Sequence, residues 1–161
     1  MSSLSNVDRF RKIIRDGEIC VGTSIQIADP IASEVAAEAG NDFVWFEMEH
    51  TYITIKEVLA HLLALRGTQV APLIRVPYND PNVIKPYLDL APAGIIVPMI
   101  KTAEDVRLAV AACKYPPKGI RGFGPLRNMY GKASIAEYLE TADDDIMVIA
   151  HIETIDAVRD I

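Results

Sequence analysis

Val70-Ala71-Pro72-Leu73-Ile74-Arg75-Val76, followed almost at once by Asn79-Asp80-Pro81, decides how this chain folds. The run is apolar apart from Arg75 near its end, which reads as a strand buried on both faces. Asp80 then offers a helix N-cap, and Pro81 takes the first helical position, where its missing N–H is no loss. A strand that passes directly into a capped helix is the repeating unit of a parallel α/β fold.

The same pattern recurs on both sides. Upstream, residues 5–16 predict an amphipathic helix with Val7, Phe10 and Ile14 on one stripe, and 19–27 predict a strand. Asp29-Pro30 caps a helix that Gly40 closes, and a strand over 42–49 leads to a helix over 54–66 carrying Ile55, Val58, Leu59 and Leu62 at helical spacing. Downstream, the helix over 81–90 contains Pro86 and is expected to kink there. A strand over 94–99 precedes Thr102-Ala103-Glu104-Asp105, close to a capping box, and a helix over 103–114 that turns Val106, Ala109, Val110 and Cys113 inward. Residues 115–133 read as a long loop rich in Gly, Pro and Arg. Ser134-Ile135-Ala136-Glu137 caps a helix over 135–142, 146–152 is a strand, and Thr154 begins one more helix. The fold class is therefore α/β with a parallel sheet, residues 1–161 forming a single domain. It is either an open doubly wound sheet or the first five units of a (β/α)₈ barrel.

Composition excludes several functions. The chain has 161 residues, is 50% hydrophobic and 24% charged, and carries a net charge of −6 without a basic block. Nucleic acid is not an expected partner. The first residues lack the basic and apolar regions of a secretory signal, and no apolar run approaches the roughly 18 residues of a spanning helix, so no membrane is expected. Cys20 and Cys113 form no Cys-x-x-Cys pair, and a reducing, cytoplasmic setting is the expectation.

In either architecture chemistry gathers beyond the C-terminal ends of the strands. The second strand delivers Glu47, Glu49 and His50 there, the third Arg75, the fourth Pro98-Met99, and the fifth His151 and Glu153. Glu153 is suited to ligate a hard divalent cation, His50 to move a proton near neutral pH, and Arg75 to hold a carboxylate or developing oxyanion. Each residue also has a plain structural reading: His50 as a surface or capping histidine, Arg75 as half of a structural ion pair, Glu153 as a first-turn acid of the last helix. His61, four residues after Glu57, is expected to face solvent without a role. Gly119, Gly122 and Gly124 do not match a nucleotide-loop spacing and are expected to permit tight turns, with Arg121 or Arg127 as pocket or subunit contacts.

Taken in order, Trp45-x-x-x-x-Glu49-His50, Arg75-Val76-Pro77-x-Asn79-Asp80, Ile96-Val97-Pro98-Met99, Lys114-Tyr115-Pro116-Pro117-x-Gly119-x-Arg121-Gly122 and Ile152-Glu153-Thr154 resemble the HpcH/HpaI aldolase family from about residue 8 onward. The resemblance implies a (β/α)₈ TIM barrel and a class II aldolase that makes or cleaves 4-hydroxy-2-oxo acids, giving pyruvate and an aldehyde. It implies a divalent metal, Mg²⁺ or Mn²⁺ with Co²⁺ or Zn²⁺ as alternatives, and a homo-oligomer, usually a hexamer. By the same resemblance His50 matches the catalytic base, Arg75 the enolate-stabilising arginine, and Asp89 the acid that raises the basicity of the histidine. Glu153 matches the first metal carboxylate and His151 a substrate contact, with Glu47 and Glu49 in support. Three departures stand out. Glu47 replaces the usual Asp, His151 replaces the usual Gln, and the family's second metal carboxylate, in a Gly-Pro-x-Asp-Leu motif, is not found within these 161 residues. Two further readings stay open: a non-catalytic half-barrel that associates through open sheet edges, and a pyruvate-enolate enzyme with another outcome, such as decarboxylation or addition to a different acceptor.

Overall fold

Successive side chains of a strand point to opposite faces, and here both faces are apolar, so the sheet needs cover on each side. The computed structural model, which describes residues 5–160, provides it. Five parallel strands, β1 (Gly22–Ile25), β2 (Phe43–Glu47), β3 (Ala71–Arg75), β4 (Gly94–Val97) and β5 (Met147–Ala150), lie side by side in chain order. Between them run α2 (Ile31–Glu38), α3 (Ile55–Ala64), α4 (Pro81–Leu88), α5 (Ala103–Cys113) and α6 (Ile135–Thr141), with α1 (Asn6–Arg15) before the sheet and α7 (Ile155–Arg159) after it. Sequential order with a helix in each crossover is the wall of a barrel rather than a doubly wound sheet, whose strand order reverses.

The two faces separate cleanly. Val44, Phe46, Ile74, Val76, Ile95 and Val97 bury outward against Val58, Leu62, Ile84, Leu88 and Cys113 of the helices. Facing inward are Phe43, Trp45, Leu73, Ile96, Met147 and Ile149, with Phe10 of α1 among them, its ring 5.3 Å from that of Phe43. Arg9 of α1 reaches Asp42 at 2.6 Å; the Val21 N–H that Asp42 accepts, and secondarily Arg9, hold its carboxyl below the ordinary range. Helix α1 thus lies across the end of the sheet where the strands begin. Register aligns Trp45 with Leu73, Gly94 and Met147 on this inner face. A Cβ on Gly94 would sit 3.0 Å from both Leu73 and Met147, so glycine is what lets the neighbouring strands bring these side chains together.

Several expectations change in detail. β1 is shorter than 19–27, and Ile19 and Val21 are exposed. α4 runs through Pro86 and stops at Leu88 rather than 90. At α6 the Ser134 hydroxyl accepts the Glu137 N–H as expected, but the Glu137 carboxylate reaches one residue further back, to the Ala133 N–H. Gly119 is needed for close packing rather than for a turn, because a Cβ there would run into the carbonyl oxygens of Ala111 and Lys114.

His61 is a correction. It is fully buried, not solvent-facing, its Nδ1 2.9 Å from the Ser33 hydroxyl and its Nε2 3.0 Å from the Ile27 carbonyl. The stripe Val58, His61, Leu62, Leu65 is the face α3 buries, and burial lowers the His61 pKa below its ordinary value of 6.5. Cys113 is buried as expected, with its thiol pushed up to about 11. No helix among the described residues is long and apolar enough to cross a membrane.

Candidate active site

β2 and β3 end side by side, with Glu47 opposite Arg75 in register. Trp45 and Leu73 precede them by two residues on the inner face, so strand alternation turns Glu47 and Arg75 inward as well. Arg75 is the hub of a carboxylate cluster. Its Nη1 donates to Glu47 Oε2 at 3.1 Å, while its Nη2 donates to Glu153 Oε2 at 3.2 Å and forms an ion pair with Glu49 Oε2. Three carboxylates around one guanidinium leave an excess of two negative charges before any histidine is counted.

The turn after β2 is folded around Glu47. Its Oε1 accepts the backbone N–H groups of Glu49 at 2.8 Å and His50 at 3.2 Å, and the Thr51 hydroxyl donates to its carbonyl oxygen. The Met48 N–H donates to the Arg75 carbonyl at 3.0 Å and extends the ladder one step into this turn. His50 stands at the rim with its side chain 70% exposed, Nε2 3.5 Å from Glu49 Oε2.

Glu153 arrives from the far side of the sheet. The His151 N–H donates to the Val97 carbonyl at 2.9 Å, carrying the β5 pairing past Ala150, and Glu153 follows two residues later. Glu153 Oε1 accepts the Met99 N–H at 2.7 Å, so each of its oxygens has a partner. Met99 has a φ of +54°, a left-handed conformation that strains a residue bearing a Cβ. His151 Nδ1 lies 3.5 Å from Glu153 Oε2. The Met99 contact carries no sequence signal, since any residue but proline supplies an N–H.

The structure therefore brings Glu47, Glu49, His50, Arg75, His151 and Glu153 to one rim. Asp89 is not among them. It ends α4, at the end of the sheet where β4 begins, and there pairs with Arg121 at 3.4 Å. Burial pushes its carboxyl above the ordinary range, with Arg121 partly offsetting the effect. Within one chain Asp89 and His50 lie at opposite ends of the strands. Arg121 also donates to the Leu88 carbonyl and lies over the Tyr115 ring, 4.6 Å from its centre. A cavity of about 460 Å³ opens at that same end, bordered by Pro72, Ala93, Arg121 and Tyr138, well away from the carboxylate cluster.

The donor set suits a hard divalent cation, which takes oxygen ligands. Glu49 Oε2 is buried and has no hydrogen-bond partner, although it touches Arg75 as an ion, and Glu153 Oε2 meets the same nitrogen. Among the described residues no group of three His, Cys, Asp or Glu side chains could hold a metal by itself. Glu49 and Glu153, which meet at one nitrogen of Arg75, are the two carboxylates of this rim with oxygens to offer such a cation.

Comparison with known proteins agrees with this fold. The model of the HpcH/HpaI aldolase/citrate lyase family matches residues 24–161. A hydroxypyruvate/pyruvate aldolase from Roseovarius nubinhibens is 36% identical over 156 residues, covering 94% of this chain and 61% of that protein. A 4-hydroxy-2-oxovalerate aldolase from Rhodococcus jostii is 37% identical over 154 residues, covering 93% of this chain and 58% of that protein. The crystal structure of an HpcH/HpaI aldolase from Desulfitobacterium hafniense superposes with a TM-score of 0.84 at 30% identity, over 93% of this chain and 59% of the other. The chain thus spans about three fifths of the length of the relatives it matches.

Proposed function

This chain belongs to the HpcH/HpaI aldolase/citrate lyase family, and on that premise we propose that it carries the pyruvate half of a metal-dependent aldolase. The reaction is the reversible cleavage of a 4-hydroxy-2-oxo acid to pyruvate and an aldehyde, in the cytoplasm. The observation that carries this reading is the convergence of Glu49 and Glu153 on Arg75, with His50 beside Glu49, at the C-terminal rim of a parallel sheet.

A divalent cation held by Glu153 and Glu49, Mg²⁺ or Mn²⁺ by donor chemistry, would supply a Lewis acid for the 2-oxo acid. The remaining steps belong to the chain's own side chains. His50, exposed at the rim, takes the proton of the C4 hydroxyl as the C3–C4 bond breaks, and the electron pair of that bond passes to the C2 oxygen as an enolate. The C4 fragment leaves as the aldehyde. Arg75 places a planar, permanently charged fork where that negative charge develops, and protonation at C3 then gives pyruvate. His151 stands beside Glu153 as a contact for the substrate's oxygen atoms. Because the Arg75 Nη2 is engaged by Glu49 and Glu153, a substrate carboxylate has to compete with them or find them drawn toward the cation.

Deuterium uptake into the methyl group of pyruvate in heavy water tests this without knowledge of the aldehyde. Proton NMR is expected to show uptake with Mn²⁺ or Mg²⁺ that a chelator abolishes. A folded chain that exchanges no deuterium under either metal would overturn the reading.

A further inference from the structure

We propose that Glu47 is a positioning residue that ties the turn carrying His50 to the guanidinium of Arg75, so that base and cation are set as one unit. The proposal rests on the aldolase reading for its chemical meaning. Its structural basis is independent of that reading.

The carboxylates around Arg75 are not equivalent. Glu49 and Glu153 share the outer nitrogen, Nη2, and their side chains retain some exposure. Glu47 is buried, only 4% exposed, and takes Nη1. Its two oxygens do different things: Oε2 faces the neighbouring strand, while Oε1 closes the turn of its own strand by accepting the Glu49 and His50 N–H groups. A carboxylate this buried needs its charge compensated and its lone pairs used. One guanidinium N–H and two peptide N–H groups do both at once.

The consequence is mechanical. The His50 peptide and the Arg75 fork cannot shift independently without stretching a charge-assisted hydrogen bond. The Met48 N–H to Arg75 carbonyl bond holds the two backbones at the same level, so Glu47 works across a short, fixed gap. Fixing Nη1 also presents Nη2 to the rim, where Glu49 and Glu153 now meet it. Glu47 is the buried member of the rim cluster, and it acts through the two residues it holds.

Two variants separate the two ties. In Glu47→Gln the amide oxygen still accepts both peptide N–H groups, but the charge on Arg75 is lost. In Glu47→Ala both are lost. Protection of the Glu49 and His50 amides against hydrogen exchange, read by ¹⁵N NMR, is expected to stay at the wild-type level in Glu47→Gln and to fall by on the order of tenfold in Glu47→Ala. The Arg75 Nη1 and Nη2 signals are expected to be distinct in the wild type and to merge in Glu47→Gln as rotation of the freed fork speeds up. Pyruvate methyl exchange in Glu47→Gln is expected to lose on the order of tenfold in kcat with KM nearly unchanged. Wild-type amide protection in Glu47→Ala, or unaltered Arg75 signals in Glu47→Gln, would each overturn the proposal. Should Glu47→Ala not fold, the Glu47→Gln spectra decide alone. A wild-type chain without methyl exchange sinks the aldolase reading, while the two NMR readouts still decide what Glu47 holds.

Discussion

Arg75 is approached by negative charge from three directions, so its removal does more than delete a cation: it leaves Glu47, Glu49 and Glu153 facing one another. Arg75→Lys keeps the charge but not the fork, and a single ammonium cannot take the place of two separate nitrogens, one holding Glu47 and the other Glu49 and Glu153. Steady-state methyl exchange in Arg75→Lys is expected to fall by roughly 10²–10³, the scale of losing one preorganised electrostatic contact. In His50→Ala the same rate is expected to fall by roughly 10²–10⁴, with far-ultraviolet circular dichroism unchanged because the side chain is at the rim. His61 is the buried counterpart. Replacing it with alanine opens a cavity beneath α3 and leaves the buried Ser33 hydroxyl without its partner, and chemical denaturation is expected to register a loss of about 3 kcal/mol. Its pH dependence has a definite sign. The folded pKa lies below 6.5, so the unfolded chain binds the proton more readily. The stabilisation is complete above pH 6.5 and is lost as the pH falls through the folded value, a slope that His61→Gln should remove from the denaturation curve. That His50, Arg75 and Glu153 meet at one rim was legible in the sequence, because parallel strands bring their C-terminal ends together. The burial of His61 was not, because its spacing from Glu57 suggests an exposed pair while its place on the Val58–Leu62 stripe puts it in the core.

Helix starts were the most legible elements, since their chemistry is local. Asp80 accepts the Asn82 N–H at 2.7 Å ahead of α4, and Asp29 accepts the Ile31 N–H at 3.0 Å ahead of α2. The α5 start is fuller than its sequence suggested. Asp105 Oδ2 accepts from the Lys101 and Thr102 N–H groups and from the Thr102 hydroxyl, while Thr102 Oγ1 accepts the Asp105 N–H. These bonds hold the Asp105 carboxyl below its ordinary value of 3.8, so the cap is complete above that pH and fades as the pH falls through the folded value. Asp105→Ala is expected to cost about 1 kcal/mol in thermal or chemical unfolding. Because this cap also fixes the segment after Met99, whose N–H holds Glu153, the variant is expected to weaken Mn²⁺ binding slightly at the site proposed above, a change titration calorimetry would read. Strand ends were less legible. The strand-like stretch at 19–27 is longer than the strand it forms, because pairing with β2 runs only from Gly22 to Ile25.

At the scale of the molecule, alternation of strand and helix gave the parallel sheet, and the structure chose between the two architectures through strand order, which composition does not encode. Among the described residues β1 and β5 each pair on one side only. Unpaired strand edges invite association, so sedimentation velocity is expected to show species heavier than a monomer whose share grows with concentration. The placement of Asp89 was not legible, since a motif gives a residue's type and position but not which end of a helix faces the site.

Strand order equal to chain order also has a temporal meaning. Each new strand can dock on the one made before it, so a chain emerging from the ribosome can settle unit by unit without waiting for distant partners. Glu47, Glu49 and Arg75 would be in place by the third strand. Glu153 comes two strands later, and until it does Met99 has no carboxylate to hold and the outer arm of Arg75 answers to Glu49 alone. Of the carboxylates that meet Arg75, Glu153 is made last, so a nascent chain has its scaffold before that cluster is assembled.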